Sequence, residues 1–216
     1  MLLRFAAITL VLFAQLLVAT AIHALDFQVD FRSSTYQTVV GDTFSDLLAQ
    51  HESETLIQSN VTTGLEDIST SVYGAGVTSD YSMLMSTTLT VGVAGEYTFQ
   101  VGTDWGRGGA TALIDNSDGS IVFERVIVDD VWWGYNWNNA DVFTTTFDFA
   151  VGDSYTLAWV GFEGCCGGSS TLRFSVDGGA YVPLTSPYID PAVIPEPTPA
   201  TLILSGLFAL AYRRRE

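Results

Sequence analysis

Val142-Phe143-Thr144-Thr145-Thr146-Phe147-Asp148-Phe149-Ala150 is a strand-like run that enters the turn Val151-Gly152-Asp153 and leaves it as a second run, Tyr155-Thr156-Leu157-Ala158-Trp159-Val160-Gly161. Two such runs joined by a tight turn, with no helical spacer, read as antiparallel strands. The same grammar extends in both directions. Ser82–Val91, Tyr97–Gly102, Ala110–Asp115, Ser120–Val128 and Thr171–Val176 are further runs, separated by Ala94-Gly95, Gly106–Gly109, Ser117–Gly119 and Asp177-Gly178-Gly179. Short strands at this spacing, without βαβ alternation, predict an all-β fold: an antiparallel, jelly-roll-like β-sandwich, with a closed barrel as the alternative.

Toward the N-terminus, Asp26-Phe27-Gln28-Val29-Asp30-Phe31-Arg32 alternates strictly and predicts a half-buried strand with Phe27, Val29 and Phe31 on one face. Phe44, Leu47 and Leu48 then fall at helical spacing behind Asp42 and Thr43, either of which can cap a first turn, so one short helix is expected near 43–50. Residues 52–80, rich in Ser, Thr and Gly, read as short edge strands mixed with loop. All six prolines lie at or beyond Pro183, so 183–194 is expected to be an extended linker after a domain spanning 25–182.

Both ends of the chain read as targeting signals. Met1–Arg4 is a short basic region and Phe5–Val18 an almost unbroken apolar run, the pattern of a Sec signal peptide over 1–24, with cleavage after Ala24 or Ala21. At the other end, Pro195-Glu196-Pro197 precedes an apolar stretch, Ala200–Tyr212, and the basic cluster Arg213-Arg214-Arg215. As a helix that stretch covers about 20 Å, short of a hydrocarbon core of roughly 30 Å, and the arginines would stay cytoplasmic. The tripartite segment 195–216 resembles the PEP-CTERM sorting signal of Gram-negative bacteria. That resemblance implies export through the Sec translocon, transient residence in the inner membrane and cleavage by an exosortase. The mature protein would then sit at the cell surface or in the extracellular matrix.

Without both signals the body keeps Arg32, Arg107, Arg125 and Arg173 as its only cations, against 22 acids, a formal charge of −18. It contains no lysine. Binding to nucleic acid or anionic lipid by charge is excluded.

Three clusters could carry chemistry. Cys165-Cys166-Gly167-Gly168 holds the only two cysteines, adjacent in a chain bound for an oxidising compartment. A bond between them would close a small ring in a glycine-permitted turn, serving as a rigid apolar knob beside a ligand or as a staple for the loop; intermolecular bonding is the further option. Zinc is disfavoured, because His51 is the one histidine of the body. In Asp104-Trp105-Gly106-Arg107-Gly108-Gly109 a strand ends in an acid and an aromatic on a glycine-rich loop. A Trp face can stack on a pyranose while a carboxylate, alone or through calcium, fixes its hydroxyls; the competing reading tucks Trp105 into the core. Finally, Asp129–Asp141 carries Trp132, Trp133, Tyr135 and Trp137 among acids and amides, as a cap on the sandwich, a carbohydrate platform or a contact for a membrane or partner.

Gly95-Glu96-Tyr97-Thr98-Phe99-Gln100-Val101-Gly102-Thr103-Asp104, Ala112–Asp115 and Val151–Leu157 follow the order of a PA14-like β-sandwich, and the chain resembles that lectin group. The group binds calcium through two consecutive aspartates; here Asp104 occupies the first position and Trp105 the second. The Cys-Cys-x-Gly element within such a sorted chain also resembles a small PEP-CTERM group named for it. No Gly-x-Ser-x-Gly context surrounds His51, which speaks against a hydrolase; a two-carboxylate glycosidase is a matter of geometry. Asn60-Val61-Thr62 matches a glycosylation sequon that the bacterial tail makes incidental. The expectation is a non-catalytic polysaccharide-binding module of the biofilm matrix, with Asp104, Trp105, Trp132, Trp133, Trp137, Cys165 and Cys166 as its site. A purely structural surface protein is the alternative, and a glycoside-active enzyme the third reading.

Overall fold

Phe27, Val29 and Phe31 are fully buried while Gln28 faces solvent, so the alternation read from the sequence becomes β1 (Phe27–Ser33). A computed structural model describes residues 27–69, 76–91 and 93–184. The expected signal peptide at 1–24, the linker beyond Leu184 and the sorting segment 195–216 lie outside the described residues. Among those described, no helix is long and apolar enough to cross a membrane.

In chain order the remaining elements are α1 (Phe44–Ser53), β2 (Thr55–Thr62), β3 (Ile68–Ser69), β4 (Tyr81–Thr90), β5 (Gly95–Trp105), β6 (Gly109–Asp115), β7 (Ile121–Ile127), β8 (Val131–Trp132), β9 (Phe143–Phe149), β10 (Ser154–Glu163), β11 (Ser169–Val176) and β12 (Val182–Pro183). All seven runs expected after Tyr81 are strands, β5 and β10 longer than read. The described residues of 52–80 contain two strands, β2 and β3. Val182–Pro183 pair with β11 and Leu184 is buried, so the sandwich reaches past residue 182.

Every pairing is antiparallel. The first sheet has the order β2-β1-β4-β10-β6-β7. In the second, β11 lies beside β5; β12 and β3 share the far edge of β11, and β9 and β8 the far edge of β5. No ladder joins the two sheets among the described residues, so the fold is a sandwich and not the closed barrel. Between them lies the main core, in which Val29, Met85, Leu113 and Leu157 of the first sheet meet Phe99, Val101, Leu172 and Phe174 of the second.

The first sheet is covered on its outer face as well. Ala110, Ala112 and Ala158 keep that face low, and Phe44 and Leu47 of α1 pack there against Val160 and Phe162. Each such burial stabilises the fold by roughly 1.5–3 kcal/mol. Thr43 is the N-cap: its Oγ1 accepts the Asp46 N–H at 3.2 Å, and Asp46 Oδ2 accepts the Thr43 N–H at 3.0 Å, a capping box. In the last turn of α1, fully buried His51 places Nδ1 2.8 Å from Ser82 Oγ of β4. Burial first, then the Arg32 charge, lowers its pKa to about 4.

Candidate functional site

Side chains alternate along β5, and this alternation sorts two sequence neighbours to opposite fates. Phe99, Val101, Thr103 and Trp105 point into the core, while Thr98, Gln100, Gly102 and Asp104 belong to the outer face of the second sheet. Trp105 is fully buried. Its Nε1–H donates to Ser170 Oγ at 2.9 Å, and its ring meets Tyr81 and Trp159 edge-on at centroid separations of 5.9 and 6.4 Å. Gly161 makes room for it, since a Cβ there would stand 2.7 Å from the indole. Trp105 therefore cannot offer its face to a sugar; the reading that tucks it into the core is the correct one.

Asp104 pairs with Trp132 across the β5–β8 ladder. Its carboxyl is pushed above the usual carboxylate range by burial first and by the charge of Asp130 second. Beyond β8 the chain folds back over the outer face of the second sheet, with Gly134 and Tyr135 at φ +57° and +55° making the bend. Trp133 is laid down on Gly102, where any side chain would collide with its ring, and its N–H donates to Thr103 O at 3.1 Å. Only 4% exposed, Trp133 is a floor and not a platform, whereas Trp132 (60%) and Tyr135 (72%) are open to solvent. Trp137 is half-buried on the flank, 4.5 Å from Trp133 and 3.9 Å from the guanidinium of Arg173.

The third component is the β10–β11 loop. Cys165 and Cys166 are joined by a disulfide and exposed, with Cys166 at φ +75° and Gly167 at φ +74°. Backbone groups of this loop are tied down on several sides. Gly167 N–H donates to Thr78 O and Gly168 N–H to the Tyr81 hydroxyl, both at 3.0 Å. Gly168 approaches the Asp104 carbonyl so closely that no Cβ would fit. Glu163, 3% exposed, accepts the Cys165 N–H on Oε1 at 2.8 Å and the Gly106 N–H on Oε2 at 3.2 Å, linking this loop to the β5–β6 turn. Burial dominates the upward shift of its pKa, with those N–H bonds opposing and the Asp104 charge adding. From the other side Tyr135 Oη lies 3.3 Å from Ser169 Oγ.

At one end of the second sheet Asp104 thus lies between its ladder partner Trp132 and the β10–β11 loop, whose Gly168 touches the Asp104 carbonyl and whose far end, Ser169, Tyr135 reaches; Trp105 is in the core beneath, and Trp133 connects Tyr135 to Trp137. Tyr135 and Ser169 were not among the expected site residues, although Tyr135 lay within the aromatic cluster. For calcium the fit is poor: the position after Asp104 sends its side chain inward, and among the described residues no group of three or more His, Cys, Asp or Glu could hold a metal ion.

No protein-family model matches the chain, and no curated protein matches its sequence. Among solved structures it is similar to a PA14 sugar-binding domain from an RTX adhesin, at 15% identity and a TM-score of 0.47, covering 76% of this chain and 96% of that one. It is also similar to the A domain of epithelial adhesin 6 from Candida glabrata, solved in complex with Galb1-3GlcNAc, at 12% identity and 0.48, over 80% and 88% of the two chains. A third is the PA14 domain of the MpAFP antifreeze protein, at 16% identity and 0.46, over 74% and 87%. The sandwich described above rests on the strand pairing of this chain itself.

Proposed function

We propose that this chain is an exported surface or matrix protein whose sandwich binds carbohydrate without transforming it. The observation that carries this reading is the exposure of two aromatic rings at one end of the second sheet, Trp132 paired with Asp104 on the β5–β8 ladder and Tyr135 against Ser169 beside the disulfide-bearing β10–β11 loop. Flat aromatic faces stack on the C–H faces of pyranose rings, and a fixed carboxyl selects among hydroxyls. Glu163 is 3% exposed with both oxygens on backbone N–H groups, so its carboxyl holds the β10–β11 loop to the β5–β6 turn and is not open to a glycosidic oxygen. The leader and the Pro195-Glu196-Pro197 tail supply the address: Sec export, then exosortase removal of the segment ending in Arg213-Arg214-Arg215.

A glycan array probed with the purified protein tests the binding reading. Retention of a defined set of glycans that survives chelation of calcium and weakens when the disulfide is reduced is the expected result. A blank array under all conditions would leave the structural alternative, in which the aromatics only cap the sandwich.

A further inference from the structure

Each arginine of the described body is engaged, but not in the same way. Arg107 pairs with Asp80 at 2.7 Å. Arg32 donates to the backbone carbonyls of Glu52 and Glu54, and Arg125 to those of Ala140 and Val142. Arg173, on the outer face of the second sheet, has among the described residues a single hydrogen-bond acceptor, the amide oxygen of Gln100, which accepts from Nε at 2.8 Å and Nη2 at 2.7 Å. Its guanidinium lies over two rings, Cζ standing 3.9 Å from the centre of Trp137 and 4.2 Å from that of Tyr181. In a body with 22 acids, no described carboxylate lies within ion-pair distance of this half-buried charge. Such a charge is costly to leave without a counter-ion, and the two rings recover only part of that cost. They also fix the fork that a carboxylate accepts in two parallel hydrogen bonds, with Nη1 making none to the described protein.

We propose that Arg173, clamped by Trp137 and Tyr181, recognises the carboxylate of an acidic saccharide. This inference rests on the carbohydrate reading above and names its ligand class. Gln100, the strand partner of Arg173, stands four residues from Asp104 on the same face of β5, about 13 Å away. Trp133 bridges the interval, in ring contact with Tyr135 at 5.0 Å and Trp137 at 4.5 Å. A glycan chain lying along the outer face therefore meets neutral, aromatic recognition at the end of the sheet and an anion site further down. The negative field of the body repels densely charged polymers, so the favoured ligand carries its carboxylates sparsely.

Tryptophan fluorescence of the purified protein, titrated with glucuronate, glucose and acetate, tests the assignment. Glucuronate should bind at least tenfold more tightly than either of the others. Arg173→Gln should erase that margin, and Arg173→Lys, which keeps the charge but not the fork, should fall between while melting like the parent. Equal affinity for glucuronate and glucose, equal affinity for glucuronate and acetate, or a folded Arg173→Gln that keeps the margin would each overturn it. Should Arg173→Gln fail to fold, an Arg173→Lys protein that retains the full margin overturns it equally. Trp132→Ala separates this site from the end of the sheet. If neutral glycans are retained through Trp132 with no preference for glucuronate, only this inference fails; if glucuronate binds no better than acetate and no glycan is retained at all, the earlier reading fails with it.

Discussion

The two sheets of the sandwich differ in what covers their outer faces. On the first, alanines and Val160 receive α1, so its central strands are buried on both sides and offer nothing to a ligand. On the second, the outer face carries Gln100, Asp104 and Arg173 and, among the described residues, receives the returning 133–137 segment and Tyr181 but no helix, which leaves Trp132 and Tyr135 exposed. Aromatic residues are abundant in both places, so their number does not locate a site. Location comes from the side of the strand on which each one falls: Trp105 and Asp104 are adjacent in sequence, yet one is core and the other surface.

The contrast breaks most visibly at Trp105. Trp105→Ala should cost about 3–5 kcal/mol in urea unfolding, because it removes a buried ring together with one of the two hydrogen bonds at Ser170 Oγ, which keeps only Thr103 Oγ1 at 2.8 Å. A smaller effect comes from the helix-covered side. An unfolded histidine takes its proton near pH 6.5, but buried His51 does so only at about 4, so the unfolded state holds more protons between those values. Stability should therefore be full above about pH 6.5 and fall on acidification toward pH 4, by about 3 kcal/mol. Asp104 and Glu163, whose pKa values are raised, act in the opposite sense as they protonate. Comparing the melting-pH curve with that of His51→Gln isolates the histidine, since the variant should lose its share of the slope. The smallest change in stability belongs to Trp132→Ala, within about 0.5 kcal/mol of the parent, although the retained glycans should be lost.

Much of this division was legible in the sequence. Strand alternation in 26–32 and the run-and-turn pattern from Ser82 to Val176 led directly to the sandwich, and Thr43 with Phe44 and Leu47 to the helix, which continues to Ser53 because His51 is buried as well. The burial of Trp105 was also within reach: parity with Phe99 and Val101 puts it on the core face. What parity could not give is the course of the irregular 129–141 segment, where left-handed Gly134 and Tyr135 lay Trp133 flat on Gly102 and leave its neighbour Trp132 outside. Arg173 was visible only as one of four arginines. Its setting depends on Trp137 and Tyr181, which no local pattern brings to the same strand.

The five tryptophans provide the most direct test, because each gives one indole N–H resonance and they divide between the two regions. With the oligosaccharide that the array retains, the signal of Trp132 should move most, those of Trp133 and Trp137 less, and those of buried Trp105 and Trp159 not at all. An unmoved Trp132, or a response confined to Trp105 and Trp159, would contradict a binding surface at the end of the second sheet.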